Sequence, residues 1–275
     1  MGPEPVHRAL SAAAAHLSAV SDTPRLDAEL LMAHALQMTR EKLVMWGMER
    51  DVPPSFATLL TRRLALEPIA YIIGTKAFWS IELAVTPDVL IPRPDSETLI
   101  AAAVAQFGKA GPKSILDLGT GSGALLLAAL AEWPGARGLG VDQSVAALAV
   151  ARGNAERLGT ANRATFQPGD WCVGLTERFD LILCNPPYVE AAAALAPNVT
   201  DYEPHSALFS GADGLDDYKR LVPQLPAVLE RGGMVALEIG SPQGAAVAAL
   251  AERAGFTVTC HQDLGGRDRC LVLQR

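Results

Sequence analysis

From residue 114 onward, short apolar runs alternate with longer amphipathic stretches. The runs have the length of buried strands, and the stretches have the spacing of helices. Strands separated by helices favour an α/β fold with a parallel, doubly wound sheet. The last two strands are joined only by the short, Gly-rich segment 263–268, which predicts an antiparallel hairpin. The predicted strands are 114–118, 137–141, 164–169, 179–184, 233–239, 256–262 and 269–274, and the predicted helices are 123–132, 144–158, 216–230 and 243–254.

Residues 1 to about 75 have apolar residues at helical spacing and no strand-like alternation. One amphipathic stretch begins after Thr23-Pro24, where a proline suits the first helical turn. Further stretches begin near Thr39 and at Ser55. The pattern predicts a small helical bundle that forms a separate N-terminal domain over 1–75.

Residues 77–91 change to period-two alternation. The segment Thr86-Pro87-Asp88 interrupts the alternation, which predicts two strands around a turn. We therefore expect a β-hairpin linker over 76–94, followed by a sheet domain over 95–275.

Two shorter segments also have a predicted conformation. Prolines hold the start of Ile91-Pro92-Arg93-Pro94-Asp95-Ser96-Glu97 extended. Asp95 or Ser96 can then cap a helix that runs through Phe107. The low-complexity patch from Ala191 to Ala194 predicts a helical turn.

Composition and charge narrow the class of protein. The 275 residues are 49% hydrophobic, enough for a sizeable core, and the net charge of -7 is a poor match for binding nucleic acid directly. The four cysteines form no C-x-x-C pair and the five histidines lack metal-ligand spacing, so we expect reduced thiols and no metal. The first five residues lack the features of a secretion signal, and no apolar run approaches the length of a membrane span. We expect a cytoplasmic monomer that does not bind membranes.

The run Asn185-Pro186-Pro187-Tyr188 directly follows the apolar stretch 179–184. Two consecutive prolines cannot continue a sheet ladder, so the strand ends at Asn185. In an open α/β sheet, ligands bind at the carboxyl ends of the strands. An amide, two free carbonyls and a flat ring at this edge suit a planar NH2 group, which the run alone cannot assign to a nucleobase or to an amide.

A second set of candidate residues follows the earlier strands. The loop Asp117-Leu118-Gly119-Thr120-Gly121-Ser122-Gly123 has D-x-G-x-G-x-G spacing, which allows a sharp turn and close approach to a ligand. Asp117 suits an ammonium group and would repel a pyrophosphate. Asp142 lies 23 residues after Gly119, the usual place for an acid that binds ribose hydroxyls, and Trp171 offers a surface for adenine. A ligand with adenine, ribose and an ammonium group but no phosphate is S-adenosylmethionine.

Methyl transfer from a sulfonium needs an acceptor that is held close and aligned. Asn185 Oδ1 and the Pro186 carbonyl can accept hydrogen bonds from both N–H groups of the acceptor and stabilise the charge that develops on nitrogen. Tyr188 can stack on the planar acceptor, so Asn185, Pro186 and Tyr188 are the candidate catalytic residues. Segments 202–205 and 211–215 could shape the acceptor pocket or be an ordinary loop and helix start. Glu238, at the end of a strand, fits a core-edge carboxylate as well as a functional one.

Several of these motifs together resemble the release-factor glutamine methyltransferase family, called HemK or PrmC. The resemblance covers nearly the whole chain, and Ser96 stands where the family usually has threonine. Asn-Pro-Pro-Tyr occurs across many amino-group methyltransferases, whereas Ile-Pro-Arg-Pro-Asp-Ser-Glu before Asp-Leu-Gly-Thr-Gly is much narrower. The motifs lie at 25–31, 67–72, 78–79, 89–97, 117–123, 185–188 and 202–204.

The resemblance implies methylation of the side-chain nitrogen, N5, of the glutamine in the Gly-Gly-Gln motif of peptide chain release factors. It implies that Gly119–Gly123, Asp142, Trp171 and Asn185 bind S-adenosylmethionine. Asn185, Pro186, Pro187 and Tyr188 would hold the glutamine, and the N-terminal helices would help to grip the release factor.

Three rival functions stay open. A ribosomal-protein glutamine methyltransferase would have the same site. A DNA adenine or cytosine methyltransferase shares Asn-Pro-Pro-Tyr but normally needs a sizeable basic region, and only 87 residues follow Tyr188. A cofactor-binding module without catalysis is disfavoured by the intact Asn185 and Tyr188.

Overall fold

The computed structural model describes residues 5–275, and this part of the chain divides into two compact units. The first unit holds the residues up to Thr75 together with Leu195–Tyr202, and the second holds Lys76–Ala194 and Glu203–Arg275. The first four residues, which begin the predicted bundle and belong to the segment searched for a secretion signal, lie outside the described residues.

The first unit is built from helices around its own apolar core. Leu10, Leu17, Leu31 and Leu43 are completely buried in that core. Pro24 occupies the first turn of its helix, as predicted. The helices are α1 (Val6–Leu17), α2 (Pro24–Ala35), α3 (Arg40–Lys42, continued by a π-helical turn over Leu43–Gly47), α4 (Ser55–Leu64) and α5 (Ile69–Ile73).

A segment distant in sequence completes the first unit. Leu195–Tyr202 contains the helical turn Pro197–Thr200, and the Tyr202 hydroxyl donates a hydrogen bond to the Ala65 carbonyl at 2.7 Å. Our sequence boundaries place this segment in the sheet domain over 95–275. A contact between residues 137 positions apart leaves no periodic signal in the sequence, so the pattern could not indicate it.

The second unit contains a two-stranded hairpin and a seven-stranded sheet of order β5-β4-β3-β6-β7-β9-β8. The first five strands in this order are parallel, and β9 pairs antiparallel with both β7 and β8. This topology confirms the predicted fold class. The strands are β1 (Thr75–Phe78), β2 (Ile81–Ala84), β3 (Ser114–Leu118), β4 (Arg137–Asp142), β5 (Ala164–Pro168), β6 (Phe179–Cys184), β7 (Leu229–Glu238), β8 (Thr257–Gln262) and β9 (Asp268–Gln274). The helices are α6 (Glu97–Phe107), α7 (Ala124–Glu132), α8 (Val145–Arg157), α9 (Asp216–Leu221), α10 (Leu225–Val228) and α11 (Gly244–Arg253).

Both faces of the large sheet are covered, which explains the continuous apolar runs in its central strands. Along β6, Leu181 and Leu183 belong to the core on one face, whereas Ile182 belongs to the core on the other. In β3, Ile115 belongs to the same core as Leu181, and Leu116 belongs to the same core as Ile182. The buried sheet therefore fixes which way the residue after each strand points.

The predicted hairpin is present but lies earlier in the chain. Its strands are β1 and β2, and the turn falls at Trp79-Ser80, where Trp79 has a left-handed φ of 53°. The Trp79 N–H donates to the side chain of Glu97 at 2.8 Å, a long-range contact that stabilises this turn. The prediction of a turn at Thr86-Pro87-Asp88 between two strands was wrong, because that turn follows the hairpin and 89–91 is not a strand.

Three other predictions also needed correction. The predicted helix 216–230 is interrupted, since Pro223 and Pro226 lack the N–H that a continuous helix needs, and β7 already begins at Leu229. The segment from Ala191 to Ala194 forms a turn without helix. Ser96 precedes α6 but makes no side-chain capping hydrogen bond.

Within residues 5–275, no helix is long and apolar enough to cross a bilayer.

Candidate active site

Four strand ends lie at one level along the same edge of the sheet. Leu118 of β3 is opposite Val141 of β4 and Cys184 of β6, and Cys184 is opposite Leu237 of β7. The next residues along the chain are Gly119 after β3, Asp142 at the end of β4, Asn185 after β6 and Glu238 at the end of β7. The pairing register therefore brings residues that are far apart in sequence to a common edge.

The glycine-rich loop after β3 needs backbone conformations that favour glycine. Gly119 has φ of +69°, and a Cβ built there would lie 3.5 Å from the Trp171 ring. Gly123 has φ of +82°, and a Cβ there would come within 2.9 Å of the Leu127 side chain. The loop thus turns tightly onto α7 and leaves its backbone accessible beside Trp171.

Asp142 joins this loop to the next helix. One of its carboxylate oxygens accepts a hydrogen bond from the Gly121 N–H at 2.8 Å, and the other accepts from the Ser144 N–H at 2.8 Å. Ser144 in turn caps α8, because its hydroxyl accepts from the Ala147 N–H at 3.1 Å. The carboxylate is therefore held in one orientation while it remains half-buried at the wall of a cavity.

Asp117, unlike the half-buried Asp142, is almost completely buried. Its side chain is buried below the loop, where Oδ2 accepts from the Thr120 hydroxyl at 2.6 Å and from the Leu126 N–H at 3.3 Å. Burial raises the pKa of this carboxyl to about 7, although the hydrogen bond from Thr120 lowers it. Asp117 organises the loop in this structure, and its binding of an ammonium group stays a prediction.

A cavity with a volume of about 400 Å³ lies beside these strand ends. Its walls include Gly119, Gly121, Asp142, Trp171 and Asn185, which the sequence predicts as cofactor-binding residues. The indole N–H of Trp171 is buried without a hydrogen-bond partner in the described part of the chain. The cavity thus combines an aromatic wall, a fixed carboxylate and an accessible glycine backbone.

A second, smaller cavity of about 60 Å³ shares Gly119, Gly121 and Asn185 with the first. Ser96, Thr120 and Ser122 contribute to its wall. Asn185 thus lines both cavities, and its Nδ2 donates to the Ser96 hydroxyl at 3.1 Å. Among the described residues, no group donates a hydrogen bond to Asn185 Oδ1.

The residues after Asn185 occupy different environments. Pro187 lines the larger cavity, whereas Pro186 is buried. Tyr188 is largely buried, and its hydroxyl donates to Glu238 Oε1 at 3.3 Å. Burial raises the pKa of Tyr188, so this group stays a neutral hydroxyl at neutral pH.

Glu238 carries a completely buried carboxyl group at the end of β7. Burial raises its pKa to about 7, and the interaction with the Ser96 hydroxyl lowers it in part. Its Oε2 has no hydrogen-bond partner within residues 5–275. A buried carboxyl with one unsatisfied oxygen is costly, and such a cost is often tolerated at a functional site.

Two further residues support the site: Glu203, from the segment 202–205 for which the sequence left a pocket or an ordinary loop open, and Asn154, which was not predicted. The side chain of Glu203 is 1% exposed, forms an ion pair with Arg93 and accepts from the Ile91 N–H at 3.1 Å. It therefore links the segment before α6 to the loop that contributes Pro204 to the larger cavity. The completely buried Asn154 binds both backbone groups of Ala84 and the Ser122 carbonyl. In the sequence, only the co-occurrence of the motifs at 91–97 and 202–204 could have indicated the contact of Glu203 with Arg93 and Ile91.

Two family models match the chain. The model described as PrmC N-terminal domain matches residues 8–74, and the model described as Methyltransferase small domain matches residues 96–202. The chain is similar over nearly its whole length to curated proteins. One is the release factor glutamine methyltransferase of Rhodospirillum rubrum, 44% identical over 92% of this chain and 80% of that protein. The protein of the same name from Cereibacter sphaeroides is 45% identical over 95% of each chain.

Solved structures show the same fold at low sequence identity. The hMettl16 catalytic domain in complex with MAT2A 3'UTR hairpin 6 aligns with a TM-score of 0.57 at 14% identity, covering 80% of this chain and 82% of that one. A methyltransferase from Pyrococcus furiosus aligns with a TM-score of 0.53 at 20% identity, covering 79% and 98%. These alignments support the methyltransferase fold.

Proposed function

Because the chain belongs to the release factor glutamine methyltransferase family, we propose that it methylates the glutamine side chain of the Gly-Gly-Gln motif in peptide chain release factors. The resemblance that the sequence motifs indicate is confirmed by these relatives. The product would carry the methyl group on N5 of the glutamine, and S-adenosylmethionine would be the methyl donor. A cytoplasmic location and a monomeric state are parts of the same proposal.

The residues around the larger cavity fit S-adenosylmethionine. Its volume of about 400 Å³ lies within the range of small-molecule sites. Asp142 would accept hydrogen bonds from the ribose hydroxyls, and Trp171 would cover the adenine. Gly119 and Gly121 leave room for the chain that carries the ammonium group. When bound, S-adenosylmethionine supplies an electrophilic methyl group on a positively charged sulfur.

The observation that carries the proposed reaction is the orientation of Asn185. Its Nδ2 donates to Ser96, which leaves Oδ1 to accept a hydrogen bond from a substrate, and Asn185 lines both cavities. An amide nitrogen is a weak nucleophile, because its lone pair is delocalised. Asn185 Oδ1 and the Pro186 carbonyl would accept hydrogen bonds from its two N–H groups and stabilise the charge that develops during transfer.

The environment of Tyr188 limits its role. Because burial raises its pKa, Tyr188 does not serve as a general base at neutral pH. A base is not required, since the methylated amide loses its extra proton readily to water. The task of these residues is to hold the acceptor nitrogen close and aligned.

The proposal is tested by incubating the protein with tritiated S-adenosylmethionine and a purified release factor. We expect label in the release factor and none in a variant whose Gly-Gly-Gln glutamine is replaced by alanine. Equal labelling of that variant would refute the substrate assignment. Parallel reactions with ribosomal proteins and with duplex DNA test the two rival substrates.

A further inference from the structure

Asn185 must point its oxygen toward the acceptor, yet its amide has two nearly equivalent orientations. Oxygen and NH2 differ little in size, so only hydrogen-bond partners distinguish them. If the amide were flipped, Nδ2 would face the NH2 group of the acceptor and two donors would meet. The site therefore needs a group that accepts from Nδ2 and does not donate to it.

The partner of Nδ2 is Ser96, whose hydroxyl can act either as a donor or as an acceptor. A hydroxyl has one hydrogen, so its role toward Asn185 depends on where that hydrogen points. In this structure the hydroxyl oxygen accepts from Asn185 Nδ2 at 3.1 Å. The buried carboxyl group of Glu238 makes no hydrogen bond to Ser96 through Oε2, but it is close enough for the Ser96 hydroxyl to lower the pKa of Glu238. An ionised carboxylate only accepts hydrogen bonds, so it would attract the Ser96 hydrogen and favour the arrangement in which the Ser96 oxygen accepts from Asn185.

We propose that Ser96 and Glu238 are positioning residues that hold the Asn185 amide with Oδ1 toward the acceptor. This inference rests on the proposed function, because it assigns these residues to the same transfer reaction. Neither side chain needs to touch the substrate, and both act through Asn185. Tyr188 also donates to Glu238, so the carboxylate links the first and last residues of the Asn-Pro-Pro-Tyr run.

The ionisation of Glu238 then affects the reaction. Protonated Glu238 could donate to Ser96, which could turn its own hydrogen toward Asn185 and favour the flipped amide. The titratable and charged groups that interact with Glu238 are Asp95, Cys184, Tyr188, Tyr218, Arg269 and Cys270. Burial raises the pKa of both thiols and both phenols, and arginine stays charged. With the pKa of Glu238 at about 7, we expect the turnover number to fall as the pH drops through that value.

The first test compares Ser96→Ala, which removes the hydroxyl, with Ser96→Thr, which keeps it. For Ser96→Ala we expect a kcat about tenfold lower, with KM for the release factor and Kd for S-adenosylmethionine little changed. Ser96→Thr should restore most of the lost turnover. Thr257→Ala is the control, since it deletes an exposed hydroxyl on β8, the outermost strand of the sheet. Equal kcat for Ser96→Ala and the wild type would overturn the role of Ser96.

The second test follows the pH profile of kcat in Glu238→Gln. A glutamine does not titrate and can donate to Ser96, so we expect low turnover and the loss of the acid limb near pH 7. Asp117 also has a pKa raised to about 7 and is the alternative source of an acid limb. An acid limb that persists unchanged in Glu238→Gln would therefore not come from Glu238 and would overturn its role. Binding of S-adenosylmethionine checks that each variant is folded.

A third measurement does not depend on the substrate. In nitrogen-labelled protein, NMR reports how fast the Asn185 side-chain NH2 protons exchange with water. We expect this exchange to be about tenfold faster in Ser96→Ala than in the wild type and in Ser96→Thr. Equal rates would refute the positioning role. If the wild type does not methylate the release factor, the proposed function fails, and the exchange rates still decide whether Ser96 holds the amide.

Discussion

The carboxylate of Asp142 makes two backbone hydrogen bonds that can be weakened by a single change. In Asp142→Asn, one oxygen becomes an NH2 group, which cannot accept the hydrogen bond that either Gly121 or Ser144 now donates. One N–H group therefore loses its acceptor and meets a donor. We expect this change to disturb both the glycine-rich loop and the binding of S-adenosylmethionine.

The size of the effect follows from the hydrogen bonds involved. A hydrogen bond to a charged group contributes about 1.5–3 kcal/mol, and the half-buried position of Asp142 favours the lower end. The loss of a charged acceptor for the ribose hydroxyls should weaken binding by a similar amount. Since about 1.4 kcal/mol corresponds to a factor of ten, we expect Kd for S-adenosylmethionine to rise about tenfold or more.

Asp180 offers a matched control at the opposite edge of the same sheet. Its Oδ2 accepts from the backbone N–H groups of Lys113 and Ser114 at 2.8 and 3.0 Å. Asp180→Asn should therefore also reduce stability, while it leaves the cavity walls unchanged. Isothermal titration with S-adenosylmethionine and thermal unfolding measure the two effects separately. Unchanged binding in Asp142→Asn, or equal weakening in Asp180→Asn, would refute the reasoning.

Three further predictions concern stability. Glu203→Ala should lower the thermal unfolding midpoint, because the Ile91 N–H and Arg93 lose a buried partner, whereas Glu203→Gln keeps an acceptor and should lose less; equal midpoints for the two variants would contradict this. Asn154→Ala should cost about 1–3 kcal/mol in the free energy of unfolding, measured by urea denaturation, because it leaves buried backbone groups of Ala84 and Ser122 without partners; a change below about 0.5 kcal/mol would contradict it. The pKa of Asp117 is raised from 3.8 to about 7 in the folded protein, so its contribution to stability is lost as the pH rises between those values; Asp117→Asn should remove this dependence, and a wild-type-like slope of midpoint against pH would contradict the assignment.

The strand ends could be predicted because strong local signals mark them. Two prolines force the chain out of the sheet at Asn185, and the apolar run before it has the length of one buried strand. Apolar runs of similar length before Gly119 and Asp142 place these two residues at strand ends as well. In a parallel sheet these signals are sufficient to bring the three residues to one edge.

The partners of these residues could not be predicted in the same way. Ser96 has the sequence signal of a helix cap, yet its hydroxyl accepts from Asn185, 89 positions away. Glu203 pairs with Arg93 across 110 positions, and Asn154 binds Ala84 across 70. Such contacts are decided by tertiary packing, which no local periodicity records. The misplaced hairpin has the same origin, because the left-handed turn at Trp79 is stabilised by the distant Glu97.

The common level of the strand ends has a consequence for insertions and deletions. Strand β6 pairs on both sides, with β3 and with β7, so its register is fixed twice. One residue added within β6 would move Asn185 by about 3.3 Å or turn its side chain to the other face of the sheet. The hairpin loop 263–267, between β8 and β9, is free of this constraint. Natural length variation should therefore collect in such loops, while the spacing from Phe179 to Asn185 should stay constant.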